Sequence, residues 1–518
     1  MCIIQNIWCK VTQNIGFFVT LHAFIFKPNF YKMKKFYLLS ILAAASMTLQ
    51  AAVFTSPGNG ETWTMTKLAA QEEAPVTVDE TGKVFTVAEN VTISAGDTFQ
   101  MEDGITIKIA KSVEIDIEGT ALMAVNERSL ITATEANVAA KYIWIKTADA
   151  TAAVEVKNLD FEYAALKLSP AFGANISDCT FRYQQASVSN GTAGLQLGGV
   201  GVGENESYTV KNCTFEYNKR SAIGTASNAS VALLIENNTF NYNDDQNLNY
   251  PHINVTACDR GVIIRNNTIV GNRDKNLGGG MVVADLMGVT SNAQTLIENN
   301  NVSDCRYGIA VYSKQNAIVR DNYLFNNNTE KTPANGGSGI NFYEPNGVGL
   351  VAKVYRNHIE GSLWGVTVIG CKDVNLGRTD VAEDDENYCP GLNVFINNGN
   401  GSEQNGFDGD SEFQRFDLYN NSGNTVYAMN NYWYVAEGAS PRVSIIDKED
   451  NPSHGEVIYA PWAGTTATGI STVDYTKSLT GVKYYNLNGV QSATPFQGVN
   501  IMVNEYNDGS KTTSKVIR

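Results

Sequence analysis

The chain has 518 residues, 43% of them hydrophobic, and carries 38 Lys plus Arg against 53 Asp plus Glu, a formal net charge of −15. That balance excludes nucleic acid and anionic membranes as general partners, and a polyanion would have to meet a local basic patch or a bound cation. With 45 Gly, only 12 Pro and abundant Asn, the composition favours tight bends between short strands over long helices.

The first element is a leader over residues 1–51. Met33-Lys-Lys opens a short basic start, followed by an apolar core too short to span a bilayer and a small-residue cleavage region ending at Ala51. Residues 33–51 are therefore predicted to be a secretory signal peptide, and residues 1–32, which lack this logic, are expected to precede the true start. No later apolar run is long enough for a membrane span. The mature chain is expected to be secreted or held at the outer cell surface.

Residues 52–150 alternate strictly, as in Val84-Phe-Thr-Val, Ile105-Thr-Ile-Lys-Ile, Val113-Glu-Ile-Asp-Ile and Tyr142-Ile-Trp-Ile. Period-two patterning punctuated by Gly96-Asp97 and Asp103-Gly104 predicts half-buried strands, read as a cap and the first coils of a solenoid.

From 151 to 434 a repeat takes over. Its pattern is apolar-x-apolar-x-Asn/Asp-Asn-x-apolar, seen in Val210-Lys-Asn-Cys-Thr-Phe215, Ile235-Glu-Asn-Asn-Thr-Phe240, Ile264-Arg-Asn-Asn-Thr-Ile269, Ile297-Glu-Asn-Asn-Asn-Val302 and Val319-Arg-Asp-Asn-Tyr-Leu324. The phase of alternation shifts at the Asn pair, which marks a bend, and Asn tolerates the left-handed backbone a bend needs. Asn238, Asn267, Asn300, Asn322 and Asn357 recur at one position, so their amides are expected to form a ladder. A second strand follows each bend, often opened by Gly, as at Gly280-Met-Val-Val and Gly339-Ile-Asn-Phe. Short strands and two bends per repeat predict an all-β, right-handed parallel β-helix. Among the eight Cys, Cys179 and Cys213 share one repeat position and are expected to be buried free thiols, while Cys371 and Cys389 flank a loop and are the disulfide candidate.

Repeats of the Ile-x-x-Asn-Asn-x-Phe kind resemble the pectate-lyase-like superfamily of right-handed β-helix proteins over Val84 to Trp462. Residues 435–469, with Gly455-Glu-Val-Ile-Tyr-Ala-Pro-Trp462, look like a closing segment and linker. Residues 470–518 contain Tyr484-Tyr-Asn-Leu-Asn-Gly489, a Gly498-led strand and the basic finish Lys515-Val-Ile-Arg518, and resemble the C-terminal sorting domain of the type IX secretion system of Bacteroidetes. That resemblance implies a small β-sandwich-like tail and the secretion machinery as a partner.

The resemblance to carbohydrate-active β-helix proteins implies a groove on one outer face, walled by loops. For a hydrolase, two carboxylates must face the scissile bond, and Asp244-Asp245 are neighbours that a strand would point apart. For a polysaccharide lyase, a base and a cation are needed at a uronate, and His252, Asp259, Arg260 and Lys275 are the catalytic candidates. Asp384 and Asp385 in one acidic loop, and Asp408, Asp410 and Glu412 in another, are the candidate ligands of a Ca²⁺ ion. Two function classes follow: a surface or secreted β-helix that binds glycan or matrix or serves as a stalk, and a lyase or hydrolase acting on an acidic polysaccharide. The first is favoured because the repeat frame assembles no complete catalytic constellation.

Overall fold

The computed structural model describes residues 54–136, 142–146, 153–169, 173–185, 193–198, 207–226, 232–256, 260–285, 291–400, 416–435, 439–464, 479–486, 488–492, 496, 499–506 and 511–517. The leader, Asp259, Asp408, Asp410 and Glu412 lie outside these residues.

The alternating strands wind into a parallel β-helix. One coil shows the plan. A pre-bend strand Ala232–Glu236 leads into a corner, a post-bend strand Thr239–Asn241 follows, and after a second corner a third strand, Pro251–Thr256, completes the turn. The chain then enters the next pre-bend strand, Val262–Arg265, in parallel register with the first, Ile235 beside Ile264 and Glu236 beside Arg265. The third strands stack into one fourteen-stranded sheet, here the long face, from Phe54–Thr55 to Ile445–Ile446. Period-two side chains fill the tube. Phe161, Phe181, Phe215 and Phe240 lie on successive rungs with rings 4.8 to 4.9 Å apart and nearly parallel, so one column of the core is a continuous aromatic stack.

The Asn pair divides its labour. The first member takes the left-handed backbone: Asn237, Asn266, Asn299, Asp321 and Arg356 have φ of 58°, 56°, 53°, 56° and 55°. The second member points inward and builds the expected ladder. Asn238 Nδ2 donates to Asn267 Oδ1 at 3.0 Å, Asn267 to Asn300 at 2.9 Å, Asn300 to Asn322 at 3.0 Å and Asn322 to Asn357 at 3.0 Å. The run continues through Asn393 to Asn431 at 3.0 and 2.9 Å, two rungs beyond the repeats recognisable in the sequence. The same Nδ2 also donates to a backbone carbonyl of the preceding coil, as from Asn267 to Ile235, and the same Oδ1 takes a second bond from the preceding backbone N–H. Each buried amide is thereby fully used, which a buried polar group requires.

The second corner repeats the device. Tyr163, Tyr183, Tyr217 and Tyr242 are left-handed there, with φ between 50° and 57°. Their rings stack 5.3 to 5.8 Å apart. Asn218 Nδ2 donates to Asn243 Oδ1 at 2.7 Å just inside them.

A solenoid needs a lid. The short helix Met65–Ala69, capped by Thr64, buries Met65 and Leu68 completely. Asp97 ties the segment before it to the first coils, accepting from the N–H groups of Gly58 at 2.9 Å, Gly60 at 3.0 Å and Glu61 at 3.0 Å and from Trp63 Nε1 at 3.2 Å. Burial alone would raise its pKa, but the Ser56 hydroxyl and these N–H donors outweigh it and hold the carboxyl at about 2.

Cys179 and Cys213 are buried free thiols, as expected. Cys371 and Cys389 are not a disulfide. Both are buried and free, Cys371 Sγ donating to Ile369 O at 3.4 Å and Cys389 Sγ to Asn375 O at 3.4 Å, each thiol held at its own strand end. In the tail, strands Gln491–Ser492, Leu479–Asn486, Val499–Tyr506 and Lys511–Ile517 form one antiparallel sheet in that order. No helix among the described residues is long and apolar enough to cross a membrane.

Two outcomes follow. Asn300→Leu strands the donors of Asn267 and the acceptor of Asn322 and should destabilise the rod by about 3 kcal/mol, whereas Asn299→Gly, exposed and already left-handed, should change stability by less than about 0.5 kcal/mol; urea melts distinguish them, and equal effects would refute the division of labour. Because the folded pKa of Asp97 lies below its ordinary 3.8, the stability it contributes is complete above about pH 4 and lost as pH falls toward 2. The Trp63 indole proton resonance should report release of the lid segment across that window, and Asp97→Asn should abolish the transition.

Candidate functional site

Three edges run along the rod, and the chain spends its insertions unevenly. Among the described residues, 242–250, 271–278, 304–308 and 326–337 leave from the second corner, before the long face; 285, 291–294 and 344–350 lie at the third corner, after it. From Pro251–Thr256 to Ser338–Tyr343 the long face is therefore a floor between two sets of loops. Its outward column in the first half reads Asp116, Trp144, Lys167, Gln196 and Gly224, one per rung in direct register. The flanking Ile115, Ile117, Ile143, Ile145, Leu166 and Leu168 all face the core, at 0 to 1% exposure, which fixes the outward direction of the residues between them.

Two ammonium groups converge on one indole. Lys167 Nζ lies 3.6 Å and Lys146 Nζ 4.2 Å from the centre of the Trp144 ring. Trp144 Nε1 donates to Ser169 Oγ at 2.8 Å, which fixes the ring. Lys146 is balanced by Asp116 at 2.8 Å, with Glu118 at 3.7 Å. Burial raises the Asp116 pKa even though Lys146 opposes it. Burial, and then the charge of Lys146, lower the pKa of Lys167. An anion placed at this point would relieve the repulsion between the two ammoniums.

Farther along, the second-corner wall carries Arg220, whose guanidinium carbon stands 5.2 Å from the centre of the Tyr250 ring. The second half of the long face is mixed: Val282, Ala284 and Ala310 pack under Tyr307 and Tyr312, the outward column then passes to Asn341 and Thr367, and Trp364 packs with Phe416 and Tyr419.

The sequence-derived candidates are not gathered into one site. His252 is fully buried, with Asn243 Nδ2 3.1 Å from its Nδ1, and burial lowers its pKa to about 3; it is a neutral residue of the corner interior. Lys275 sits on the second-corner wall with its ammonium on the backbone carbonyl and carboxylate of Asp245. Arg260 lies at the third corner, between Pro251–Thr256 and Val262–Arg265, so the long face separates it from Lys275. Asp244 is held by the N–H groups of Leu248 at 2.9 Å and Tyr250 at 3.2 Å and serves its own loop. Asp384 and Asp385 stand exposed in an insertion at the first bend, between Asp373–Gly377 and Val394–Ile396, off the long face. Asp385 accepts from the backbone and side chain of Asn387, at 2.7 and 2.9 Å. Among the described residues no three His, Cys, Asp or Glu groups converge as a metal site.

Asp116, Trp144, Lys146 and Lys167 were missed as a group. The signal was present: Asp116, Trp144 and Lys167 are each the outward residue between inward Ile or Leu in Val113-Glu-Ile-Asp-Ile, Tyr142-Ile-Trp-Ile and Leu166-Lys-Leu, and Lys146 follows the second of these. Placing them on adjacent rungs needs the register, which the irregular segments between those strands conceal.

The chain is a right-handed parallel β-helix, and residues 143–370 match the family model described as the right handed beta helix region. Among solved structures, it is similar to a mutant of the periplasmic alginate epimerase AlgG, with TM-score 0.46 and 13% identity, covering 78% of this chain and 83% of that one. Unsubstituted AlgG gives TM-score 0.39 and 11% identity over 78% and 84%. The A-module of the Azotobacter vinelandii mannuronan C-5 epimerase AlgE6 gives TM-score 0.26 and 9% identity over 80% and 100%. No curated protein matches the chain.

Proposed function

We propose that this chain is an exported β-helix that binds an acidic polysaccharide, a uronate polymer, in the groove of its long face. The observation that carries this reading is the convergence of Lys146 and Lys167 on Trp144, on a chain of net charge −15. Lysine ammoniums attract a carboxylate as point charges, and an indole offers an apolar face to a sugar ring. The leader at 33–51 and the sorting-type tail at 470–518 support delivery through secretion machinery to the outer surface, where a glycan or matrix ligand is met.

A lyase reading of the same groove is favoured by one observation, the lowered pKa of Lys167. In that reading Lys167 would take the hydrogen beside a uronate carboxylate while the neighbouring cation Lys146 neutralises that carboxylate. Binding is the primary reading because the geometry that carries it, two ammoniums on one indole, needs no proton transfer.

The mature protein should retain polyuronate over neutral polysaccharides of the same length, and more weakly as salt rises. Lys167→Met should cost at least about tenfold in Kd for the uronate polymer and leave any neutral-polymer binding unchanged. Equal retention of both polymers would refute the proposal, and release of unsaturated ends by the wild type but not by Lys167→Met would make the site catalytic.

A further inference from the structure

On the second-corner wall, Arg220 immediately precedes the long-face strand Ser221–Thr225, which lies two rungs beyond Ala165–Leu168. Its Nε and Nη1 are buried and have no hydrogen-bond partner, and Ser221 Oγ, next along the chain, is buried and unpartnered as well. The neighbouring acids are committed elsewhere. Asp244 accepts from Leu248 and Tyr250, and Asp245 holds Lys275. Among the described residues no carboxylate lies within ion-pair distance of Arg220, although the chain carries an excess of acids. Tyr250 holds the guanidinium from one side.

A cation with buried, unmet donors is costly until an anion joins it. A guanidinium is the side chain best shaped for a carboxylate, because its planar N–H groups bind both oxygens. We infer that Arg220, backed by Tyr250, is a second carboxylate subsite for the same glycan, so that an acidic chain lies along the rod axis and presents one carboxylate to Lys146 and Lys167 and a later one to Arg220. The two subsites are separated by two rungs, about 10 Å along the axis. This rests on the reading of the groove as a uronate site, and it adds the direction of the chain and a minimum ligand length.

Titration calorimetry of the mature protein with a uronate disaccharide and a hexasaccharide tests it. The wild type should bind the hexasaccharide at least about tenfold more tightly than the disaccharide. Arg220→Met should bring the hexasaccharide down to the disaccharide value and leave the disaccharide Kd unchanged. Where a thermal melt shows that the Met variant is poorly folded, Arg220→Lys, which keeps the charge but not the planar donors, should lose most of the length-dependent gain. Persistence of that gain in a folded Arg220 variant, or an equal loss for both ligands, would overturn the inference. Failure of the wild type to bind either uronide would instead sink the reading of the groove on which it rests.

Discussion

A buried amide that donates twice and accepts twice is the constraint on which this rod depends. Each coil is too short to bury a core alone, and the ordering of its backbone costs about 1–2 kcal/mol per residue. What repays that cost is stacking, and stacking requires every coil to turn at the same height. The amide run from Asn238 to Asn431 enforces this by linking the corner of each coil to the corner above and to the backbone below. On the coils before the amide run, where Leu159, Cys179 and Cys213 hold its position, the parallel Phe column from Phe161 to Phe240 marks the common register instead.

The same constraint explains where variation is tolerated. The first bend is closed by the Asn pair and admits one long insertion among the repeats, residues 378–393. The second corner, which repeats the device at Tyr217, Tyr242 and the Asn218–Asn243 bond, and the third corner nevertheless hold most of the loops. Their loops flank the long face, so the surface that is free to differ from coil to coil is the surface that forms a groove. There the outward column changes from charged and aromatic, at Asp116, Trp144 and Lys167, to apolar, at Val282 and Ala310, and back to polar, at Asn341 and Thr367. A rigid scaffold with a varied floor suits a long ligand better than a compact one.

The architecture was legible in the sequence because it repeats. Ile235-Glu-Asn-Asn-Thr-Phe240 carries its own bend, its own inward anchors and its own ladder residue, and copies of it confirm one another. Which Asn of the pair is left-handed was not legible, since both are Asn in most copies; Asp321 and Arg356 at the first position show that this position asks for backbone conformation and the second for an amide. The site was less legible. Loop composition drew attention to His252, Arg260 and Lys275, yet burial removes the first and opposite corners separate the other two. Trp144 and Lys167 lie in strands and Lys146 just after one, where outward residues look like ordinary solvated positions until the rungs are set side by side.

The proposed glycan site runs along the long face, in line with Trp144, Lys167 and Arg220. The most direct measurement is a crystal structure of the protein soaked with a uronate hexasaccharide. The ligand is expected along the rod axis, with one carboxylate between Lys146 and Lys167 and another at Arg220. A saccharide bound instead on the post-bend face, or across the rod away from Trp144, would contradict it.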